Sequence, residues 1–304
     1  MQAGRGATAR GGPVTLVAFL VMCVFVGGNL VGVRFSNREL PPFWGATVRF
    51  AVATAILAIA IAVLRLPLPR GRELAGAIAY GLLAFALFFA FAYWALQELP
   101  TALAGVVFAS GPLLTFFLAL AHRQERFNMR SLIGGLLVIV GIAVMVRAPI
   151  NASVPLVRLG AMLGAALCAA EAGIVGRHFR AAHPVVMNAI GMGVGTIFVG
   201  ILSFITGELH PLPSETATLV SLAYLITLGS CGVFLLYLFV LKTWSASATS
   251  YEFVIAPLVA AGLAAWLLGE RLTAQIAVGG AIVLVGVYVG AIATARIPEP
   301  DQIA

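Results

Sequence analysis

Three ionisable side chains, Arg49, Glu171 and Glu252, lie inside long apolar segments of this 304-residue chain. Charged groups are costly in the hydrocarbon of a membrane, so the few that occur there mark functional sites by default. A carboxylate in such a segment can bind an ammonium group or carry a proton, whereas a protonated or paired carboxyl has only a structural role. Arg49 can reach the membrane surface with its long side chain, and Glu252 lies near one end of its segment, so we interpret both as structural.

Glu171 is the strongest candidate for binding, because it lies about twelve residues into its apolar segment, close to the middle of a membrane. Uncharged polar side chains can complete such a site without burying an unpaired cation. We expect these partners to be Asn29, Tyr80, Tyr93, Tyr237 and Tyr251. For Asn29, a hydrogen bond between helices is an equally good interpretation. The set predicts a site for a small zwitterion, with Glu171 facing its ammonium group and the other side chains facing its carboxylate.

The segments that carry these residues are those of a membrane protein built from helices. Hydrophobic residues make up 62% of the chain and charged residues only 10%, against about 25% charged residues in an ordinary globular protein. Ten apolar runs are each long enough to cross the hydrocarbon as a helix. They cover residues 14–33, 43–64, 74–96, 101–121, 130–147, 159–179, 184–206, 217–241, 246–268 and 274–294. The predicted fold class is therefore an all-α polytopic membrane protein with ten transmembrane helices.

The chain also contains an internal repeat. The segment "GPLLTFFLALAHRQERF" at 111–127 corresponds to "APLVAAGLAAWLLGERL" at 256–272, and paired glycines follow both segments. These glycines predict close packing between helices. The repeat divides the chain into two halves of five helices, residues 1–148 and 149–304, around a central cavity. Since five is odd, the second half enters the membrane in the opposite direction, and this inverted arrangement is typical of secondary transporters.

The repeated segments contain two prolines and two glutamates at matching positions. Pro112 and Pro257 fall near the middle of their helices, where a proline is tolerated beside a cavity or a neighbouring helix. We expect them to be gating kinks, with a simple packing kink as the alternative. Glu125 and Glu270 precede good N-cap residues, so we expect each to face the amino end of the helix that follows it and to have a structural role. The helix pairs three–four and eight–nine are the expected moving parts.

Charge and composition give the orientation and exclude several functions. Most of the 18 basic residues fall in segments that place both termini in the cytoplasm, and the preference for arginine over lysine suggests a bacterial inner membrane. No sequence motif indicates a nucleotide, a metal or another cofactor, and no clustered catalytic side chains indicate an enzyme. The net charge reflects membrane topology, so we expect no nucleic-acid partner. The predicted partners are the lipid bilayer and a small-molecule substrate. A lipid or polyprenyl carrier is the main alternative, ahead of a channel and an intramembrane enzyme.

Three stretches resemble the EamA family of the drug/metabolite transporter superfamily: "FVGGNLVGVRF", "PPFWGATVRF" and the repeated segment that ends in Glu-Arg. The resemblance covers nearly the whole chain, although Gly27 and Gly28 stand where many relatives carry tryptophan or serine. Within the family, the chain is similar to ten-helix amino-acid exporters of the YddG type. This resemblance implies a basket of ten helices, with the fifth and tenth at the periphery. It also implies export of small metabolites, chiefly amino acids, by alternating access.

Overall fold

The computed structural model describes residues 12–96, 107–108, 110–146, 156–179, 183–268 and 274–292, and within these ranges all regular structure is helical. The helices of the first half are α1 (Pro13–Ser36), α2 (Pro42–Leu64), α3 (Arg72–Gly81), α4 (Phe88–Leu96), α5 (Gly111–Ala121) and α6 (Met129–Val146). Those of the second half are α7 (Leu156–His178), α8 (Pro184–Ile205), α9 (Thr216–Ile226), α10 (Val233–Thr243), α11 (Ala246–Thr249), α12 (Glu252–Leu268) and α13 (Ala274–Val287).

Three π-helical segments interrupt these helices. Segment π1 (Leu82–Leu87) joins α3 to α4, π2 (Thr227–Gly232) joins α9 to α10, and π3 (Tyr288–Ile292) extends α13. A π-helical turn inserts an extra residue into the hydrogen-bonding pattern and is frequent at functional sites. The segments π1 and π2 therefore rotate the faces of two long helices near the middle of their length.

Six of the described helical segments are long and apolar enough to cross a membrane, and two of these, Arg72–Ala95 and Thr216–Thr243, run through π1 and π2. Shorter apolar helices cover 111–121, 129–141 and 278–290. Large apolar side chains on their outer faces are exposed, for example Ile59, Ile197 and Phe204. Extended apolar surfaces of this kind are unfavourable in water and suit contact with lipid. These helices and their apolar surfaces confirm the prediction of a multi-pass, all-helical membrane protein.

The helices start where the sequence supplies suitable residues. The first turns of α1, α2 and α8 each contain a proline, which is favourable there because the first backbone N–H groups of a helix have no internal acceptor. At α8 the side chain of His183 also accepts a hydrogen bond from the Val185 amide, at 3.3 Å. These starts fix the ends of the helices that carry the candidate residues.

Helices from the two halves pack in corresponding pairs. Helix α2 lies along α8, and α6 lies along α13. Helix α1 packs against α12, while α7 packs against α5 and α4. The main core is formed by α1, α2, α3, α8, α10 and α12, and a smaller cluster lies between α4, α5 and α7.

Close packing between α6 and α13 depends on glycines, as the sequence predicted. A Cβ atom at Gly134 would lie 2.5 Å from the Gly290 Cα and 2.7 Å from the Gly286 carbonyl oxygen. A Cβ atom at Gly141 would lie 2.8 Å from the Gly279 carbonyl oxygen. Only glycine permits this approach of two backbones.

The bundle has two ends, which we call the near end and the far end. The near end is where α1 starts, and there Phe19 contacts Trp244 with ring centroids 5.0 Å apart. The far end holds the loops 37–41 and 206–215, which contact each other through Glu39 and Ser214.

The helix that carries Pro112 is interrupted within its length. Residues 107–108 are helical, Ser110 forms a turn, and α5 starts at Gly111. Pro112 thus lies in a first helical turn, where its missing N–H costs little. The Ser110 hydroxyl donates a hydrogen bond of 2.6 Å to the Val107 carbonyl, which satisfies an acceptor at the break. Pro257, in contrast, lies inside the continuous helix α12.

Candidate functional site

The first polar cluster surrounds Arg49, which is 4% exposed in the middle of the bundle. Its Nε donates to the Ser230 hydroxyl at 2.6 Å, and its Nη2 donates to the Gly229 carbonyl at 2.8 Å. The Asn29 Nδ2 donates to the same carbonyl at 3.0 Å. Both acceptors belong to π2, so Arg49 and Asn29 join α1 and α2 to the irregular part of the second half.

The surroundings of Arg49 are aromatic rather than acidic. Its guanidinium carbon lies 5.2 Å from the Phe50 ring centroid and 6.0 Å from that of Phe89. The hydroxyls of Tyr93 and Tyr224 are within electrostatic reach, and Tyr224 donates to the Phe25 carbonyl at 2.9 Å. Within the described part of the chain, no carboxylate pairs with this buried cation.

A continuous series of aromatic contacts leads from this cluster toward the near end. Tyr93 contacts Phe89 at 5.7 Å between ring centroids, and Phe89 contacts Phe50 at 4.9 Å. Phe50 then contacts Phe85 at 5.4 Å, and Phe85 contacts Tyr80 at 5.8 Å. Edge-to-face contacts at these distances are favourable, so the rings form a packed barrier. We call these five residues the aromatic barrier.

The second polar cluster lies at the end of the barrier that Tyr80 forms, around Glu252, the first residue of α12. Glu252 is 5% exposed, and its Oε2 has no hydrogen-bond partner. Its carboxyl group is within electrostatic reach of the hydroxyls of Tyr80 and Tyr237 and of the Cys23 thiol. These residues come from α1, α3, α10 and α12, so the cluster joins both halves. We call Glu252, Tyr80 and Tyr237 the Glu252 cluster.

Buried polar atoms without hydrogen-bond partners are concentrated in this near half. They include the Tyr80 hydroxyl, the Glu252 Oε2, the Gln124 Oε1, the Trp244 Nε1 and both side-chain polar atoms of Asn188. A buried polar group without a partner costs about 1–3 kcal/mol. Such a concentration is typical of a place that receives water or a ligand.

Glu171 does not belong to either cluster. Its Oε1 lies 3.1 Å from the His122 Nε2, and the two side chains are 27% and 48% exposed. Glu171 lies only seven residues before the end of α7 at His178, so its position is nearer to the near end than the sequence analysis expected. Its partner comes from the residue that follows α5 in the chain, and this pair is open rather than buried.

The structure corrects the expected contact of Glu125. Its two carboxylate oxygens accept hydrogen bonds from the Ser247 amide at 3.1 Å and the Ser247 hydroxyl at 2.8 Å. Glu125 thus binds the amino end of α11 in the other half, and not the amino end of α6, the helix that follows it. Asn128 supplies the cap of α6 through the Arg130 amide at 2.9 Å. Glu270 lies outside the described residues.

Two further glutamates, which the sequence analysis did not single out, bind helix starts at the far end. The Glu208 carboxylate accepts from the Phe43 and Trp44 amides at 3.1 and 2.8 Å, at the start of α2. Glu208 reaches them because Gly207, with φ of 71°, ends α8 in a left-handed turn. The Glu39 carboxylate accepts from the Ser214 hydroxyl and from the amides before α9. These hydrogen bonds lower the pKa of the Glu39 carboxyl to about 2.

The remaining predicted site residues fall into two groups. Asn29 and Tyr93 lie near Arg49, at one end of the barrier, and Tyr80 and Tyr237 lie near Glu252, at its other end. The Tyr251 hydroxyl points at Gly290, between α6 and π3, and has no hydrogen-bond partner. The Tyr251 hydroxyl is therefore placed at the packing surface between α6 and α13. The backbone of Pro257 lies within α12.

Comparison with known proteins reveals a family that covers nearly all of the chain. A model of the EamA-like transporter family matches twice, at residues 14–147 and 158–291. A protein of Salmonella typhimurium described as a probable amino-acid metabolite efflux pump is 27% identical in an alignment of 293 residues that covers 90% of this chain and 93% of that protein. The corresponding Escherichia coli protein, with the same description, is 26% identical over 90% of this chain and 93% of its own.

Two more distant similarities cover about the same share of the chain. An uncharacterised transporter of Archaeoglobus fulgidus is 21% identical over 90% of this chain and 97% of that protein. A protein of known crystal structure is 18% identical and superposes with a TM-score of 0.76, over 92% of this chain and 97% of its own. At that identity the superposition shows a shared fold alone.

Proposed function

Because the chain belongs to the EamA-like transporter family, we propose that it is a secondary transporter that exports small metabolites, with amino acids, including aromatic ones, as its substrates. The observation that carries this proposal is the double family match together with two relatives described as amino-acid metabolite efflux pumps. The two buried clusters support it, because ionisable side chains inside a membrane mark substrate pathways, and one cluster holds Arg49 while the other holds Glu252. The export direction follows from those relatives.

The proposed architecture has ten transmembrane helices in two inverted halves, residues 1–148 and 149–304. The corresponding helix pairs support it, since exchanging the halves preserves the pairing of α2 with α8 and of α6 with α13. In this arrangement both termini and the near end face the cytoplasm of a bacterial cell, and the far end faces outward. The arginine distribution supports the same orientation.

The proposed mechanism is alternating access across the aromatic barrier. Hydrogen bonds between the halves close both ends of the bundle: Glu39 and Glu208 at the far end, and Glu125 with Ser247 at the near end. A substrate can pass only if these contacts break in turn and the rings of the barrier rearrange. The interruption of the helix at Ser110 supplies a place where such a movement can bend the bundle.

Transport of amino acids tests the proposed function directly. Proteoliposomes loaded with a panel of unlabelled amino acids should take up the matching radiolabelled amino acids by counterflow, with aromatic ones among the fastest. Counterflow requires a carrier that binds and releases its substrate on both sides, so a channel fails this test. If no amino acid exchanges while a labelled polyprenyl phosphate does, the chain is a lipid carrier and the amino-acid proposal is wrong.

Cross-linking the two ends tests alternating access. The pairs Glu39→Cys with Ser214→Cys, and Glu125→Cys with Ser247→Cys, should each stop counterflow when joined by a short thiol cross-linker, because each fixes one end closed. The three native cysteines are first replaced by serine, and a cleavable linker should allow reduction to restore the rate. The single-cysteine variants, treated in the same way, are the controls. Full cross-linking with an unchanged rate would contradict this mechanism.

A further inference from the structure

The Glu252 cluster has the composition of a cation site, yet within the described ranges it holds no basic side chain. The Oε2 of Glu252 is buried without a hydrogen-bond partner, and the Tyr80 hydroxyl, on a side chain with no exposed surface, is equally without one. Tyr237 is 7% exposed beside them. Unpaired polar groups at this depth leave the folded protein less stable unless something else satisfies them.

Glycines of α7 make room for the two tyrosines. A Cβ atom at Gly173 would lie 2.8 Å from the Tyr237 hydroxyl oxygen, and a Cβ atom at Gly176 would lie 3.6 Å from the Tyr80 Cε2. Both glycines are on the same face of α7, one turn apart. A side chain at Gly173 would displace the Tyr237 hydroxyl, whereas a Cβ atom at Gly176 would be in ordinary contact with the Tyr80 ring. The position of Tyr237 is therefore built into the packing of α7 against α10.

We infer that Glu252, Tyr80 and Tyr237 form a binding site for a primary ammonium group. This inference rests on the proposed function, because it names the part of the transported molecule that the site holds. An ammonium group has three N–H donors, and the cluster offers one carboxylate and two hydroxyl oxygens as acceptors. It is an alternative to Glu171, whose role as the anionic partner of the substrate stays a prediction and whose carboxylate lies 3.1 Å from the His122 Nε2.

The surroundings of the cluster favour an organic cation over a metal ion. No group of three or more His, Cys, Asp or Glu side chains suited to a metal occurs among the described residues. The Tyr80 ring contacts Phe85, which in turn lies 4.4 Å from the Phe234 ring centroid. Aromatic faces attract organic ammonium groups and pack against apolar side chains. The ring-lined approach therefore suits an amine that carries an aromatic or apolar group.

Direct binding measurements test this site. We expect equilibrium dialysis of the purified full chain to detect binding of radiolabelled phenethylamine and of L-phenylalanine, and no binding of N-acetyl-L-phenylalanine, which lacks the ammonium group. Glu252→Gln should abolish binding of both amines. Tyr80→Phe should weaken it about three- to tenfold, the range expected for one lost hydrogen bond. The controls Glu73→Gln, at an exposed residue of α3, and Tyr288→Phe, at an exposed tyrosine of π3, should bind as the parent does.

Several outcomes would overturn the site. They are absence of amine binding by the parent, undiminished binding by Glu252→Gln, and displacement of the amines by sodium ions at equal ionic strength. If Glu252→Gln does not fold, the parent is instead treated with a carboxyl-reactive carbodiimide, and mass spectrometry measures the modification of Glu252. Phenethylamine should protect Glu252 from this reagent, and lack of protection overturns the site. Amine binding without any amino-acid counterflow would instead refute the proposed function and leave the site in place.

Discussion

Replacing Gly134 by leucine is expected to remove most of the folded protein. A Cβ atom at this position already lies 2.5 Å from the Gly290 Cα, and the neighbours on that side are backbone atoms, which cannot rotate away. Overpacking a well-packed contact typically costs about 1–3 kcal/mol, and it costs more where the neighbouring atoms cannot move aside. A leucine between two backbones is of this second kind, so its cost exceeds that range. Because a domain is stable by only about 5–15 kcal/mol, α6 and α13 should separate.

Size-exclusion chromatography in detergent and thermal unfolding measure this effect. The matched control is Gly262→Leu in α12, where a Cβ atom would meet nothing within 4 Å and where yield and melting temperature should stay at parental values. Gly134→Ala should fall between the two. Equal yields of monodisperse protein for Gly134→Leu and Gly262→Leu would show that the contact between α6 and α13 does not support the fold.

Replacing Arg49 by leucine is expected to slow counterflow at least tenfold and to lower thermal stability. The substitution removes two charge-assisted hydrogen bonds to π2, each of which contributes about 1.5–3 kcal/mol, while it also removes the cost of burying the charge. The net loss of stability should be about 2–4 kcal/mol. Arg49→Lys should retain part of both properties, because a lysine can reach the Gly229 carbonyl or the Ser230 hydroxyl but lacks the planar fork that binds both.

A double-mutant cycle with Asn29→Ala makes this test specific. Asn29 and Arg49 donate to the same Gly229 carbonyl, so their effects on the free energy of unfolding should not add. Arg72→Leu, at the start of α3, is the control for loss of an arginine outside the core. Parental stability and transport in Arg49→Leu, or strictly additive effects in the cycle, would contradict the role given to Arg49.

Patterns within single helices were predictable from the sequence. The glycines that follow the repeated segments predicted close helix packing, and Gly134, Gly141, Gly279 and Gly286 do lie at the contact of α6 with α13. This prediction succeeded because a glycine at helical spacing has few other uses in a membrane helix. The apolar runs likewise predicted the long helices, since hydrophobic length and the thickness of a membrane are directly related.

Contacts between distant segments were not predictable in the same way. The sequence predicts Glu171 near the middle of the membrane, but it lies seven residues before the end of α7, and its partner His122 follows α5. Tyr80 and Tyr93 are separated by π1, whose extra residue changes the helical register between them. Glu125 binds Ser247 rather than the following helix because loops from both halves meet at the near end. Such pairings depend on tertiary packing, which cannot be derived from the residue pattern of a single sequence.

The Glu208 contact also has a consequence for how the chain is made. The amides of Phe43 and Trp44 at the start of α2 receive their acceptor from a residue 165 and 164 positions later. A ribosome adds about 5–20 residues per second, so roughly 8–30 s pass between the synthesis of the two partners. During that interval the start of α2 depends on water or lipid head groups at the membrane surface. The far end can therefore reach its final form only after α8 has been synthesised and inserted.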